Sequence, residues 1–355
     1  MTRLLGIETS CDETAAAVVE AADGGAWVAR SNVVASQVAL HREWGGVVPE
    51  IASRQHVRDI CDVVERALAE AGVTWADLDG VAVTEGPGLV GSLLVGVAFA
   101  KAAAWARGLP LVGVNHIAGH IESLWLAHGP LPLPAVVLVV SGGHTSLYLV
   151  PEAGSYTLLG RTRDDAAGEA YDKVAKLLGL GYPGGPVVDR LAASGRDDAV
   201  DLPMTRLTSR DRNAPERVGT FDFSFSGIKT AVLRHVRARQ AALGVTALPE
   251  GEVADICASF QRVVVRTLLA RTFEAAEVHG ARAVGIAGGV SANRRLRGDL
   301  EAAAAAAATG LAVFVPPVTL STDNAAMIAA AGLRRFARGE LAGDRLNAVP
   351  SLVLG

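Results

Sequence analysis

Residues 3–19 read RLLGIETSCDETAAAVV. Two apolar, partly β-branched runs, 3–7 and 15–19, flank the polar segment Glu8-Thr9-Ser10-Cys11-Asp12-Glu13-Thr14, a pattern that predicts strand, loop, strand. The unit returns later in the chain. Residues 135–140 form a continuous buried-strand pattern, Ser141-Gly142-Gly143-His144 a turn, and residues 146–150 alternate like a returning strand. Each copy is followed by helical sequence and then by a strand that runs into a glycine loop. Residues 80–84 lead into Glu85-Gly86-Pro87-Gly88, and residues 283–287 lead into Gly288-Gly289-Val290-Ser291-Ala292-Asn293, each with a helix after it. The repetition predicts an α/β chain of two related lobes with a ligand cleft between them.

Length agrees with two lobes, since 355 residues exceed one ordinary domain. The expected division is a first lobe over residues 1–112, completed by a C-terminal helix over 325–345, and a second over 113–324. The second carries an insertion at about 161–251 that is rich in Asp, Arg, Gly and Pro. With half the residues apolar and a fifth charged, the chain is neither disordered nor fibrous. A net charge of -4 argues against gripping nucleic acid by bulk charge, so any RNA contact has to be local. Cys11, Cys61 and Cys257 are scattered and lack CxxC spacing, which gives no disulfide framework and no zinc knuckle. The chain opens Met1-Thr2-Arg3 without a signal-peptide pattern, and its most apolar stretch, residues 93–106, is interrupted by Lys101. The expectation is a cytoplasmic protein with no membrane segment.

The most informative pair for chemistry is His116 and His120 in NHIAGHIE, because four-residue spacing places both imidazoles on one helix face within reach of one metal ion. For an isolated HxxxH, a merely shared helix surface is the commoner explanation. Asp323, directly before the last helix, offers a third ligand, and an aspartate there also suits a helix N-cap. Two histidines and a carboxylate with open positions suit Fe(2+) or zinc holding an exogenous oxygen ligand. The glycine segments 141–144, 181–186 and 288–293 bring backbone N–H groups where phosphate or nucleotide oxygens can approach, and none has the GxGxxG or P-loop form. Carboxylates gather at Asp12 and Glu13 on the first hairpin tip and at Asp164, Asp165, Glu169 and Asp172 on a helix that reads as a solvated face. Asp172 and Asp189 flank a Pro-Gly-Gly turn and suit ribose hydroxyls. Phe221, Phe223 and Phe225 alternate as in a core strand, and Arg334, Arg335 and Arg338 complement the C-terminal dipole of the last helix.

These segments together resemble the bacterial tRNA N6-adenosine threonylcarbamoyltransferase family (TsaD/Gcp, formerly O-sialoglycoprotein endopeptidase). The matching stretches are GIETSCDETAAAVV from Gly6, GGVVPEIASRQHV from Gly45, EGPGLVGSLLVG from Glu85, NHIAGHIES from Asn115 and VSGGHTSL from Val140. They continue collinearly with DDAAGEAYDKVAKLLGLGYPGGP from Asp164, FSFSGIKT from Phe223, AGGVSANRRLR from Ala287 and STDNAAMIA from Ser321. The resemblance implies the ASKHA fold of actin, Hsp70 and sugar kinases. It also implies transfer of the threonylcarbamoyl group from threonylcarbamoyl-AMP to N6 of adenosine 37 in tRNAs that read ANN codons. By the same resemblance His116, His120 and Asp323 are the metal ligands, usually of iron. Val139, Val140, Ser141, Gly142 and Gly143 contact the donor, and Asp172, Gly185, Asp189 and Asn293 surround its nucleotide. The implied partners are tRNA, a TsaB-like inactive paralogue and a TsaE-like ATPase, with a homodimer in their absence.

The expected reaction is attack of the N6 amine on the carbamoyl carbonyl with departure of AMP, Asp12 or Glu13 receiving the proton. A metallopeptidase is disfavoured because Ile117 stands where HExxH places its glutamate. A small-molecule kinase of the same fold has no use for the histidine pair, and a non-catalytic scaffold would tolerate its loss. Candidate tRNA contacts are Arg206, Arg210, Arg212 and Arg217, and also Arg294, Arg295 and Arg297.

Overall fold

The structure is a computed structural model that describes residues 1–22, 26–205, 207, 221–306, 310–343 and 345–355. The arginine cluster at 206, 210, 212 and 217 lies outside the described residues. The chain first lays down β1 (Thr2–Glu8) and β2 (Glu13–Ala21), paired antiparallel with Leu4 opposite Val19 and Ile7 opposite Ala16. Two short strands, β3 (Trp27–Ala29) and β4 (Val33–Ser36), both pair with β2. After the helical turn α1 (Val38–His41) come α2 (Pro49–Ala71), β5 (Gly80–Gly86), α3 (Val90–Arg107), β6 (Leu111–Asn115) and α4 (His116–His128). Strands β5 and β6 continue the sheet in parallel, giving the order β3-β2-β1-β5-β6.

The pattern then repeats. Hairpin strands β7 (Ala135–Val140) and β8 (Thr145–Val150) are followed by β9 (Thr157–Arg161), the helices α5 (Ala167–Leu177), α6 (Gly184–Ala192), α7 (Ser226–Leu243) and α8 (Glu250–Val278), and β10 (Ala283–Ala287). Helix α9 (Arg294–Ala306), β11 (Ala312–Phe314), the turn α10 (Val318–Ser321) and α11 (Ala325–Ala337) complete the elements. The second sheet runs β9-β8-β7-β10-β11, with the same antiparallel and parallel senses as the first. The doubled hairpin expected from residues 3–19 is therefore present as two sheets of one topology.

The described chain divides into two compact units, residues 1–131, 152–156 and 316–355 in the first and 132–151 and 157–315 in the second. In the first unit, alternation along β1 decides the packing. Leu5 and Ile7 join Val81 and Val83 against α2 and α3, while Leu4 joins Ala82 and Val112 against α11. With both faces covered, the strands read as continuous apolar runs, and each fully buried Leu stabilises the fold by about 1.5–3 kcal/mol. Helix α11 comes very close to β1 because small residues face each other there. A Cβ on Gly6 would lie 2.3 Å from the Ala325 carbonyl oxygen and 2.7 Å from the Ala329 nitrogen. That approach brings Asp323, two residues before α11, up to the start of α4.

Dividing the chain at residue 112 would set α4 with the second half. Instead α4 belongs to the first unit, because it packs on α11. Gly119 of α4 permits that contact, since a Cβ there would stand 2.8 Å from Ile328 Cδ1. In the second unit the sequence from 161 to 251 builds much of the core. Phe221, Phe223 and Phe225 are buried with Tyr171, Ile228 and Phe260, the core role expected of them, but not as a strand: the segment makes only an isolated bridge from Phe223 to Thr162 before α7 begins. Helix α3 is long and apolar enough, by length and composition, to cross a bilayer. Its Leu93, Val97, Ala100 and Ala104 are buried in the first unit.

Candidate active site

Asn115 ends β6 and starts α4: its side-chain oxygen accepts from the Ile117 and Ala118 backbone N–H groups at 2.9 and 3.4 Å. The helix thus begins at His116, and its 3.6-residue turn stacks His120 above it, with ring centroids 4.7 Å apart and planes at 83°. At the start of α11 the capping acceptor is Asn324, which receives the Met327 N–H at 3.1 Å. Asp323 therefore does not cap the helix, and its Oδ1 stands 3.2 Å from His120 Nε2 and 3.6 Å from His116 Nε2. One donor atom from each of the three residues lies within 4.8 Å of the other two. The cluster could hold a metal ion.

Two observations fit that reading. Both ring nitrogens of His120 are buried and lack hydrogen-bond geometry to any described protein atom. Leaving a buried polar group unsatisfied costs about 1–3 kcal/mol, a cost that coordination would remove. The second is Glu8, which enters the interior from the end of β1 with no exposed surface. Its Oε2 lies 2.9 Å from His116 Nδ1 and accepts from Thr84 Oγ1 at 2.7 Å, while Oε1 accepts from the Ser10 N–H. Ser10 Oγ stands 3.1 Å from the same imidazole nitrogen. A carboxylate on Nδ1 fixes a proton there and turns Nε2 toward Asp323.

The electrostatics follow from burial and charge. Burial opposes a charged His116, but the Glu8 and Asp323 carboxylates outweigh it and push the imidazole up to about 9. Burial works against the Glu8 carboxylate too, yet the facing His116 draws it below the usual range. His120 is held below the ordinary histidine value by burial and the neighbouring His116. It is thus neutral, the form in which imidazole ligates a metal.

The hairpin tip between β1 and β2 carries Asp12 and Glu13. Burial raises both carboxyls, Glu13 to about 8, and the Asp323 charge adds to each. Glu13 Oε1 accepts from Ser36 Oγ at 2.9 Å, while Oε2 is buried with no hydrogen-bond partner among the described residues. Burial also pushes the Cys11 thiol well up, so it is no nucleophile at neutral pH.

In the second unit, Val139 and Val140 end β7, and Ser141, Gly142 and Gly143 form the following turn. The space around Gly142 and Gly143 is open, since a Cβ on either would meet nothing within 4 Å. Gly288 crosses this strand end so closely that a Cβ would lie 2.5 Å from the Val140 carbonyl oxygen. Asp172 accepts from the Gly184 N–H at 2.7 Å and so anchors the first turn of α6, where Gly185 is unobstructed. Asp189 and Asn293 are joined through Gln261, which donates to Asp189 at 3.2 Å and accepts from Asn293 Nδ2 at 2.9 Å. Asp189 and Gln261 line a cavity of about 670 Å³ together with Arg196, Arg294 and Arg295.

Several charged candidates have structural partners. Arg294 donates to Asp189, Arg295 to Asp197 and Asp299, and Arg297 to the Ser291 carbonyl. Asp165 pairs with Lys173 and Lys229, and Asp164 receives Phe225 N, Ser226 N and two serine hydroxyls at the start of α7. Arg334 makes two bonds of 2.6 Å to the buried Glu122 and lies over Trp27 and Trp125. The residues that sequence reasoning missed are Glu8, Ser10 and Thr84. A glutamate closing an otherwise apolar strand was the available signal for Glu8.

Two sheets of one topology and a cluster of two buried histidines and a half-buried aspartate, backed by a glutamate, define an ASKHA-fold protein with a metal-capable centre. Component A of the (R)-2-hydroxyglutaryl-CoA dehydratase of Acidaminococcus fermentans, a solved structure, is similar over 96% of this chain and 100% of its own, with a TM-score of 0.50. At 15% identity that likeness concerns the fold alone. Residues 29–330 match the family described as TsaD, tRNA N6-adenosine threonylcarbamoyltransferase. A tRNA N6-adenosine threonylcarbamoyltransferase of Anaeromyxobacter dehalogenans is 54% identical over 352 residues, 99% of each chain. One of Moorella thermoacetica is 51% identical over 354 residues, 99% of this chain and 97% of its own. The chain belongs to the tRNA N6-adenosine threonylcarbamoyltransferase family.

Proposed function

We propose that the protein transfers the threonylcarbamoyl group from threonylcarbamoyl-AMP to N6 of adenosine 37 in tRNAs that read ANN codons. The observation that carries this reading is the His116, His120 and Asp323 cluster with Glu8 behind it, in a chain more than half identical over nearly its whole length to the Anaeromyxobacter dehalogenans and Moorella thermoacetica members of the family. In the reaction N6 forms a bond to the carbamoyl carbon, the bond from that carbon to the phosphate oxygen breaks, AMP leaves, and one N6 proton is released. His116, His120 and Asp323 hold the metal, Fe(2+) as the first choice and Zn(2+) as the second. When bound, it supplies Lewis-acid polarisation of the donor.

The chain's own residues supply the rest. Glu8 sets the His116 tautomer, and the turn of Ser141, Gly142 and Gly143, open at its two glycines and with Val139 and Val140 before it, takes the donor's phosphate and acyl oxygens. Asp172, Gly185, Asp189 and Asn293 bind its nucleotide. Asp12 receives the N6 proton, since a carboxyl raised by burial is a stronger base than an exposed one. Glu13, raised to about 8, is mostly protonated at neutral pH and is the poorer acceptor. An aromatic amine is a weak nucleophile, so positioning supplies much of the rate.

The proposed setting is the cytoplasm, with a TsaB-like paralogue and a TsaE-like ATPase as partners and a homodimer in their absence. The chain's net charge of -4 supports weak tRNA binding alone and tighter binding in the partner complex. The test is nucleoside mass spectrometry of unmodified tRNA incubated with the protein, its partners and threonylcarbamoyl-AMP. N6-threonylcarbamoyladenosine at position 37 supports the proposal, and unmodified adenosine with partners active alongside another family member overturns it.

A further inference from the structure

The stretch GGVVPEIASRQHV places a histidine, His56, on α2, and the activity described so far makes no use of it. In the first unit His56 is one member of a buried polar chain with His41, Gln37 and Thr14, each no more than 1% exposed. Most buried polar groups in a folded interior are hydrogen-bonded, and where every member of a chain has its partner the distances determine which atom carries each proton.

His56 Nε2 lies 2.9 Å from the Cys11 carbonyl oxygen. A carbonyl only accepts, so Nε2 carries the hydrogen and Nδ1 is a lone pair. That lone pair receives Thr14 Oγ1 at 2.7 Å and Gln37 Nε2 at 3.3 Å. The Gln37 amide is oriented in turn, because its Nε2 also points to the Ala52 carbonyl at 3.4 Å and its Oε1 lies 3.3 Å from His41 Nε2. His41 Nδ1 accepts from the Val48 N–H at 3.2 Å, so His41 Nε2 is the donor. The directions close without conflict: Val48 to His41, His41 to Gln37, Gln37 and Thr14 to His56, His56 to Cys11. A second bond reaches the same tip, from the Gln37 N–H to the Asp12 carbonyl at 3.0 Å.

We infer that His56 is a positioning residue: with Gln37 it holds the backbone of the Cys11–Asp12 tip by two buried hydrogen bonds, and thereby fixes where the Asp12 carboxylate stands during transfer. The inference deepens the proposed function and rests on its assignment of Asp12. Two bonds to successive carbonyls fix both the place and the tilt of the peptide between them. Burial keeps His56 neutral, the state in which one ring nitrogen donates and the other accepts. A group that sets the place of a catalytic carboxylate acts on turnover, because displacement of a reacting group by about 1 Å costs on the order of a hundredfold in rate. His116, His120, Asp323 and the donor-binding loops are not members of this chain of bonds, so metal content and donor affinity are expected to hold when it is broken.

The test compares wild type, His56→Ala, His56→Gln and Thr14→Val in the reconstituted transfer assay, with metal content, donor KM and amide hydrogen exchange of residues 8–14 measured in parallel. Gln at position 56 presents an amide nitrogen near the place of Nε2 and can still donate to Cys11. Thr14→Val keeps the side-chain shape and removes one bond, so the test survives if His56→Ala fails to fold. The expected result is a 10- to 100-fold fall in kcat for His56→Ala and a smaller fall for Thr14→Val. Metal content and donor KM stay unchanged, exchange at the tip is faster, and His56→Gln recovers to within a few-fold of wild type. A kcat for His56→Ala and Thr14→Val within twofold of wild type, or a loss that tracks loss of metal, overturns the inference. Absence of transfer by wild type, with tip exchange still separating His56→Ala from His56→Gln, overturns the proposed function and leaves the positioning of the tip standing.

Discussion

Glu8 Oε2 lies 2.9 Å from His116 Nδ1, and neither side chain is more than 5% exposed. The pair couples the end of β1 to the start of α4, so the hairpin strand that organises the first sheet also orients a candidate metal ligand. A carboxylate on the far nitrogen of a ligating imidazole raises its basicity and fixes its rotation. Glu8→Gln keeps the volume and removes the charge. Metal affinity, read by competition with a chelator, is expected to fall about 10- to 100-fold while the fold is retained.

Removing a ligand acts more directly. His120→Ala leaves a site of one imidazole and one carboxylate, which is too few for a stable transition-metal centre. Metal content after dialysis should fall to a small fraction of wild type, and metal added back should not restore transfer.

Glu13 gives the protein a pH signature. Its carboxyl titrates at about 8 in the fold against an ordinary 4.5, so between those values the folded chain binds more protons than the unfolded one. Stability from this group is therefore fully present below about pH 4.5 and declines as pH rises through 8. Glu13→Gln should flatten that decline, with the mutant gaining on wild type by an order of 1–3 kcal/mol between pH 5 and pH 9 once partial solvent screening is allowed for. Urea unfolding at the two pH values measures it.

Glu122 is fully buried, and Arg334 and Tyr156 supply its hydrogen bonds at 2.6 and 2.5 Å. Arg334→Met would leave that carboxylate without its cation, an arrangement that costs about 3–5 kcal/mol. Tyr156→Phe removes one donor and should cost about 1–3 kcal/mol. Chemical denaturation distinguishes the two, and equal losses would mean that the guanidinium is not the main partner.

Much of this was legible in the sequence because it is written in local patterns. The apolar runs around Glu8–Thr14 and around Ser141–His144 specify two hairpins, and the strand-then-glycine segments after them specify the parallel continuation. His116 and His120 were legible because a helix has a fixed period. What was hidden depends on contacts between distant segments. Asp323 could be read as a cap or as a ligand, and only the Asn324 side chain bonded to Met327 N settles that it does not cap. Helix α4 sits in the first unit because Gly119 meets Ile328, over two hundred residues away. The partnership of Glu8 with Thr84, and of His56 with Thr14, likewise joins residues that no local pattern connects.

The most direct test of transfer through the His116 centre is incorporation of labelled threonine into unmodified tRNA, with synthase, bicarbonate, ATP and the two partner proteins supplied, comparing wild type with His116→Ala. Label is expected in tRNA with wild type and none with His116→Ala. Equal labelling by both would contradict it by showing that transfer does not pass through the His116 centre, and no labelling by either, with partners shown to be active alongside another family member, would contradict the transferase itself.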